Sequence, residues 1–452
     1  MRETRLFARG DGATVPPARA GGTVAPSPHL LVRLLLALIL SFACVAAPGA
    51  TAYADIRVTD SVNNKPLGAG HPTVPDAPDV VADYAALCTR EGIVLWERDT
   101  HKSVPMASTT KIMTAVVALE NKAPDTPMLV TYGAAMTEGS TADLREGDTT
   151  FLKDLIVCMM VPSGNDAAVA IAENVAGTEF AFVDMMNAKA AELGMTGTHF
   201  SNASGLTDED NYTTAADYLL LTRVAMGNEL FREAVGSAEV VAEVNGEERT
   251  YDTTNMLLND MEGANGVKTG FTDEAGYCLI ASAQRNNLEL YAVVLHSDSE
   301  EQRFADAQTL LEWGFAHYRA VELINATKPI ADLALLSWID KTVPVAVSVP
   351  VSVNLFDYAG EIRQEVVLTE REGAVRKGEQ VGTLTWTQGG EVLAQIDLLA
   401  TEDVSEPGFW EGIGIWWQRL WGGFFGDPPN ATSTTILPEV FPLKIADVNV
   451  PA

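Results

Sequence analysis

The chain has 452 residues, 47% of them apolar, and carries 61 Asp and Glu against 30 Lys and Arg, a formal net charge of −31. That length allows two or three domains with a sizeable core. The charge excludes a nucleic-acid binder and removes electrostatic attraction to anionic lipid, leaving a solvated acidic surface as the expectation.

Residues 1–54 read as a secretory signal. Arg2, Arg5, Arg9, Arg19 and Arg33 precede an apolar core at 34–47, and Ala52-Tyr53-Ala54 offers an A-x-A cleavage site before Asp55. Export with cleavage is expected, with a retained N-terminal anchor as the alternative. Residues 55–79, rich in Pro, Gly and Asn, read as a linker. Two strands follow at 81–87 and 93–97, around a turn at Arg90-Glu91-Gly92. An extended segment ending near Pro105 turns into an apolar helix carrying Ile112, Val116 and Leu119, with Ser108 in its first turn. Residues 129–147 are polar and Gly-punctuated, a loop with short elements. Helices are predicted at 152–160, 166–176, 180–193 and 215–226. Strands at 239–244 and 249–251 flank an Asn245-Gly246 hairpin turn. Further strands at 267–272, 277–285 and 289–295 read as adjacent and antiparallel, and a helix at 302–318 closes the domain. Helices in the middle, with strands from both ends, predict an α/β domain over 80–322: an antiparallel sheet flanked by helices, plus a helical lobe.

The pattern changes near Asn325. Val343, Val345, Val347, Val349, Val351, Val353 and Leu355 alternate strictly, which predicts one half-buried strand, edged or interrupted by Pro344 and Pro350. With strands at 361–368, 380–386 and 392–400, residues 323–404 form a small all-β domain that reads as a stiff spacer. Residues 405–426 are amphipathic, and the Pro- and Thr-rich residues 427–452 read as disordered. Cys44 lies in the N-terminal apolar run. Cys88, Cys158 and Cys278 read as buried thiols, and neither Cys nor His spacing suggests a metal site or cofactor.

Three stretches carry chemistry. In Ser108-Thr109-Thr110-Lys111, a hydroxyl and an amine three apart share one helix face. They could supply a nucleophile, its base and an oxyanion donor. Taken alone, the stretch equally fits a serine cap followed by a solvated lysine. In Ser163-Gly164-Asn165, the amide could hold a substrate peptide carbonyl and the hydroxyl relay a proton, although the tripeptide is also ordinary turn chemistry. In Lys268-Thr269-Gly270-Phe271-Thr272, the ammonium and the hydroxyl suit a carboxylate. Gly270 permits close backbone approach, and the Phe271 N–H could be a second oxyanion donor. The alternative there is an exposed strand end.

In this order the three match the S-x-x-K, S-x-N and K-T-G set of the penicillin-recognising serine enzymes. Ala107 to Thr114, Pro162-Ser163-Gly164-Asn165-Asp166-Ala167-Ala168 and Gly266 to Cys278 closely resemble the low-molecular-mass penicillin-binding proteins, which are D-alanyl-D-alanine carboxypeptidases. Asn202-Ala203-Ser204-Gly205-Leu206 and Leu311-Glu312-Trp313-Gly314-Phe315 are similar to that family's connecting segments. The resemblance runs from about Val81 to Asp403 and implies a penicillin-binding/β-lactamase-like fold. It implies that Ser108 attacks the carbonyl between two D-alanines, with Lys111 as a neutral proton acceptor whose pKa burial and Lys268 push down. It further implies that Ser163 shuttles a proton, Asn165 holds the peptide, and Lys268, Thr269 and Thr272 meet the terminal carboxylate. Arg303 falls where the family has a cleft arginine, though it also fits a surface helix. The implied partners are peptidoglycan stem peptides ending in D-Ala-D-Ala, with β-lactams as acylating inhibitors. A β-lactamase of the same superfamily is the nearest rival. No Glu-x-x-x-Asn segment of the expected context stands between Ser163 and Lys268, where Asp208-Glu209-Asp210 is the closest acidic stretch. An inactive wall-binding protein of this fold is the other rival.

The segment from Phe409 to Phe425 holds Trp410, Trp416, Trp417 and Trp421, four of the chain's 8 tryptophans. At about 100° per residue its aromatic and aliphatic side chains fall on one half of the wheel, opposite Glu411, Gln418 and Arg419, with Ile415 the exception. The segment is too short and one-sided to span about 30 Å of hydrocarbon. It is expected to lie in the membrane interface, on the outer face of the cell membrane, its glycines leaving it to fold on binding lipid; the alternatives are an amphipathic helix packed on the β domain and a loop with buried aromatics.

Overall fold

The computed structural model describes residues 77–324, 328–360, 362–369, 371, 373–425, 431 and 433–435. The stretches read as a signal and most of the expected linker therefore lie outside the described residues.

The chain begins with β1 (Tyr84–Thr89), β2 (Val94–Arg98) and β3 (Val104–Pro105). A 3-10 turn, Ala107–Thr110, then leads into α1 (Lys111–Asn121). The helical lobe follows: β4 (Pro127–Leu129), α2 (Tyr132–Ala135), β5 (Thr149–Phe151), α3 (Leu152–Met160), α4 (Asn165–Ala176), α5 (Glu179–Glu192), β6 (Tyr212–Thr213), α6 (Ala215–Ala225) and α7 (Glu229–Val235). Next come β7 (Glu239–Val244), β8 (Glu247–Asp252), α8 (Leu257–Asp260), β9 (Ala264–Thr272), β10 (Gly276–Arg285), β11 (Leu288–Ser297) and α9 (Glu300–His317).

The main sheet has five antiparallel strands in the order β2-β1-β11-β10-β9, so first and last segments of the domain pair at its centre. Its strands are apolar on both faces. Tyr291, Val293 and Leu295 of β11 enter the core shared with the helical lobe. Leu290, Ala292 and Val294 enter a second core under α9. This period-2 division leaves only the strand edges open, and β9 is one of them. The β7–β8 hairpin is not part of this sheet. It joins β4 and β5 in a separate four-stranded sheet at the lobe's edge.

The second domain contains β12 (Tyr318–Ile324), β13 (Ala331–Ala334), β14 (Thr342–Val347), β15 (Val351–Phe356), β16 (Ile362–Leu368), β17 (Gln380–Gln388) and β18 (Glu391–Ala400). The alternating run at 343–355 is two strands. It breaks at Pro350, after which β15 leaves to pair with β12 while β14 stays in the six-stranded sheet. Alternation survives across the break, so hydrophobic pattern alone could not locate it. The helix α10 (Phe409–Phe425) follows, and the chain then returns as β19 (Thr434–Thr435) on the edge of β13. That return corrects the expectation of disorder for part of the tail. No helix among the described residues is long and apolar enough to cross a membrane.

Helix α9 meets the sheet through Gly314, where a Cβ would lie 2.6 Å from Leu290 Cδ1 and 2.9 Å from Leu87 Cδ2. Gly314→Val overpacks this contact and is expected to lower stability by about 2 kcal/mol, read as a lower urea midpoint.

Candidate active site

Ser108 lies in the 3-10 turn, not in the first turn of α1. The residue before it, Ala107, is left-handed at φ 49°, a conformation costly for a non-glycine residue and held here by its surroundings. Thr110 Oγ1 donates to the Ala107 carbonyl at 2.9 Å. Thr109 Oγ1 donates to the Met106 carbonyl at 2.6 Å and meets the buried Tyr218 hydroxyl at 2.9 Å.

Two glycines let other segments close on this turn. A Cβ on Gly205, at φ 87°, would lie 2.0 Å from the Ala107 carbonyl oxygen. A Cβ on Gly270 would lie 3.2 Å from the Ser108 nitrogen. The segment packed against Gly270 is the chain's own Ser108 turn.

Lys111 has no solvent exposure. Its Nζ lies 2.9 Å from Ser108 Oγ, 2.6 Å from Asn165 Oδ1 and 2.6 Å from the Ser204 carbonyl. Burial first, then the Lys268 cation, holds this amine well below the ordinary lysine range, with Asp166 pulling the other way. The Ser204 carbonyl is aimed by a turn in which Asn202 Oδ1 accepts from the backbone N–H groups of Ser204 and Gly205. This carbonyl was not a sequence candidate: backbone groups carry no residue signature, although the Asn202-Ala203-Ser204-Gly205 string was visible.

Ser163 is buried in a left-handed conformation at φ 67°, just before α4. Asn165 begins that helix. Its amide is already engaged, with Oδ1 accepting from Lys111 and Nδ2 donating to the Glu138 carbonyl at 2.6 Å. Asn165 thus orients the amine. The next residue, Asp166, is fully buried. Its carboxylate accepts from Thr141 Oγ1 and from the backbone N–H groups of Ala142, Leu144 and Ala167. Several charge-assisted bonds of this kind fasten the 141–144 loop over the helix start.

Lys268 is 1% exposed, and its Nζ donates to the Thr269 carbonyl at 2.9 Å. Burial, reinforced by the Arg303 cation, pushes it down to about 7. Thr269 Oγ1 meets Thr254 Oγ1 at 2.6 Å, and Thr254 was absent from the sequence candidates. Thr272 Oγ1 accepts from the Ala275 N–H at 3.1 Å. Phe271 is half exposed and packs on Tyr277, ring centroids 4.4 Å apart. Arg303 is no surface arginine. It is 4% exposed, donates to the Gly270 carbonyl at 3.1 Å and to Glu300, and lies over the Tyr277 and Phe304 rings. The structure thus brings Ser108, Lys111 and Asn165 into direct contact and places Arg303 on the β9 strand through Gly270. A cleft of about 120 Å³ opens beside them, lined by Ala107, Gly205, Leu206, Asn211, Thr272 and Glu274, among others.

Two family models match the chain. One, described as D-alanyl-D-alanine carboxypeptidase, covers residues 71–299. The other, described as penicillin-binding protein 5, C-terminal domain, covers residues 318–406. The carboxypeptidase DacF of Bacillus subtilis (strain 168) is 32% identical over 339 residues, 73% of this chain and 87% of the relative. DacC of Escherichia coli (strain K12) is 30% identical over 375 residues, 78% of this chain and 91% of the relative. Among solved structures, the carboxypeptidase DacD from Francisella tularensis superposes with a TM-score of 0.53 at 27% identity, covering 74% of this chain and 97% of that one. The Streptomyces K15 DD-transpeptidase does so with a TM-score of 0.51 at 32% identity, covering 53% of this chain and 98% of that one. Motifs, fold and relatives agree: the chain belongs to the peptidase family of the D-alanyl-D-alanine carboxypeptidases, the low-molecular-mass penicillin-binding proteins, and is a serine-type hydrolase of that specificity.

Proposed function

We propose that Ser108 is the nucleophile and Lys111 its base in removing the terminal D-alanine from peptidoglycan stem peptides. The observation that carries this is the three-way contact of the Lys111 amine. A neutral amine has two N–H donors and one lone pair. The Asn165 and Ser204 oxygens are both acceptors only toward it, so they take the two donors and leave the lone pair for the Ser108 hydroxyl. The low amine pKa keeps that neutral form available.

In this reading Ser108 Oγ bonds to the carbonyl carbon between the two D-alanines. The N–H groups of Ser108 and Phe271 receive the oxyanion. The C–N bond then breaks, and the proton taken by Lys111 reaches the departing amine through Ser163. Water releases the acyl group by the reverse relay. Lys268, Thr269 and Thr272 line the strand that would receive the terminal carboxylate, with Arg303 setting the Gly270 carbonyl behind them. β-Lactams follow the same path as far as the acyl-enzyme. The solved relative titled a DD-transpeptidase favours a second outcome, in which an amine replaces water. Assay of free D-alanine against cross-linked dimer separates the two, and hydrolysis is expected to dominate.

The proposed location is the outer face of the cell membrane after export, with α10 lying in the interface and the β domain as spacer. Phe409, Trp410, Trp416 and Trp417 are 76%, 80%, 59% and 53% exposed, a density of aromatic surface that favours an interface. Burying roughly 100 Å² of each of these rings at about 25 cal/mol per Å² gives on the order of 10 kcal/mol before ordering costs. The helix carries only Glu411 and Arg419 as charges, so insertion must be apolar.

Intact-mass spectra after benzylpenicillin should show one adduct, mapped to Ser108 and abolished in Ser108→Ala. An adduct persisting in that variant would remove the assignment. The pH profile tests Lys268. In the free enzyme its charge is present below about 7 and lost above it, so kcat/KM for a D-Ala-D-Ala peptide should fall on the alkaline side. Lys268→Arg, which stays charged, should move that limb at least one pH unit upward, and an unmoved limb would dismiss Lys268 from carboxylate binding. For the membrane, the mature protein should sediment with phosphatidylcholine vesicles irrespective of salt. Adding phosphatidylglycerol should not tighten binding, and truncation after Glu406 should free the protein while leaving penicillin binding intact. Equal partitioning of both forms would end the anchor reading.

A further inference from the structure

The helix α10 does not hang from the end of the chain. Its approach is fixed where Trp338 Nε1 donates to the Ser405 carbonyl at 3.2 Å. Its first turn is closed by the Gly408 N–H donating to Glu411 Oε2 at 2.9 Å. Ile415, the apolar residue on the wrong side of the wheel, packs against the β-domain core. One turn further on the same side, the Arg419 guanidinium donates to the carbonyls of Leu336 and Trp338. Past the helix, the Ala431 N–H donates to the Ile339 carbonyl and Ser433 Oγ accepts from the Ala334 N–H. Thr434 and Thr435 then pair with Asp332 and Ala331, adding β19 to the sheet edge.

We propose that Ala431 and residues 433–435 form a strap that fastens α10 to the β domain at its far end. The membrane-facing surface is then a preformed paddle held in one orientation, not a segment that folds when it meets lipid. The proposal rests on the anchor reading for its partner, a bilayer surface, but makes a separate claim about the chain without lipid. Four considerations carry it. The Ile415–Arg419 stripe faces protein, so the opposite aromatic face is the one left to solvent. An isolated helix of 17 residues containing four glycines is marginal in water, so its order must come from contacts with the β domain along its length and at both ends. Arg419 is the only cation of the helix and is spent on carbonyls, which leaves none for lipid phosphate. Finally, a bare β13 edge would be an open template for pairing with another chain, and the strap covers it.

Two-ended attachment also sets the active site at a defined attitude to the membrane. Without the strap, the end of the helix beyond Arg419 would be held only by the contacts of Ile415 and Arg419.

The test is amide hydrogen exchange followed by mass spectrometry on the lipid-free full-length mature chain. It is compared with a chain ending at Gly426 and with the full-length double variant Thr434→Pro, Thr435→Pro, which removes both strand donors. Peptides from α10 should exchange at least about tenfold more slowly in the parent than in either variant, while penicillin acylation of Ser108 stays unchanged in all three. Equal exchange in parent and variants, whether uniformly slow or uniformly fast, would overturn the strap. Vesicle sedimentation of the same three proteins reads the anchor separately. If the parent shows protected α10 but no vesicle binding, the strap stands and the lipid partner falls.

Discussion

The constraint on which the site depends is the burial of two lysines in one cleft. Lys111 has no solvent exposure and Lys268 has 1%, and both amines are driven below their ordinary range mainly by loss of water. Desolvation is unfavourable for folding, since the chain must forgo protons it would hold when unfolded. The rest of the cleft offsets this. The Asn165 amide and the Ser204 carbonyl give the Lys111 amine fixed partners. Asp166 and the Asn202 turn in turn fix the segments carrying those partners. The cations are also graded. Arg303 presses on Lys268, and Lys268 presses on Lys111, so the push on the base is full only while Lys268 keeps its proton.

The sheet explains why these groups can meet. Both faces of the five-stranded sheet are covered, one by the helical lobe and the other by α9. The strand that carries Lys268 to Thr272 is an edge strand, hydrogen-bonded on one side to β10. Its other side faces the Ser108 turn across a gap closed by Gly270. A sheet built from the first and last strands of the domain therefore delivers the strand carrying Lys268 to Thr272 directly beside the Ser108 turn. The intervening lobe supplies Asn165 and Ser204.

Much of this was legible in the sequence, because the three motifs are made of side chains whose chemistry is distinctive and whose order is informative. The 3.6-residue and two-residue periods also located most helices and strands of the catalytic domain. What escaped has physical reasons. The Ser204 carbonyl is backbone. Thr254 and Tyr218 support the site through single hydroxyls with no pattern around them. The 3-10 turn at Ser108 arises from packing by Gly205 and Gly270, which no local propensity reports. In the β domain, the alternation from Val343 to Leu355 continued across a change of sheet because both strands bury the same parity of residue. The tail was composed like a disordered segment, yet a few of its residues are held by the edge of a distant strand. Ile415, an exception to the amphipathic wheel, proves to pack against the β domain.

The central claim is that burial drives the Lys111 and Lys268 amines below the ordinary lysine range, and it can be read without substrate. With lysines labelled at Cε by carbon-13, the protein should show two resonances titrating far below the bulk. One has a midpoint near 7 and vanishes in Lys268→Ala. The other lies well below the ordinary lysine range and vanishes in Lys111→Ala. If every lysine titrates within the range expected for an exposed ammonium, the account of Lys111 as a neutral base is contradicted.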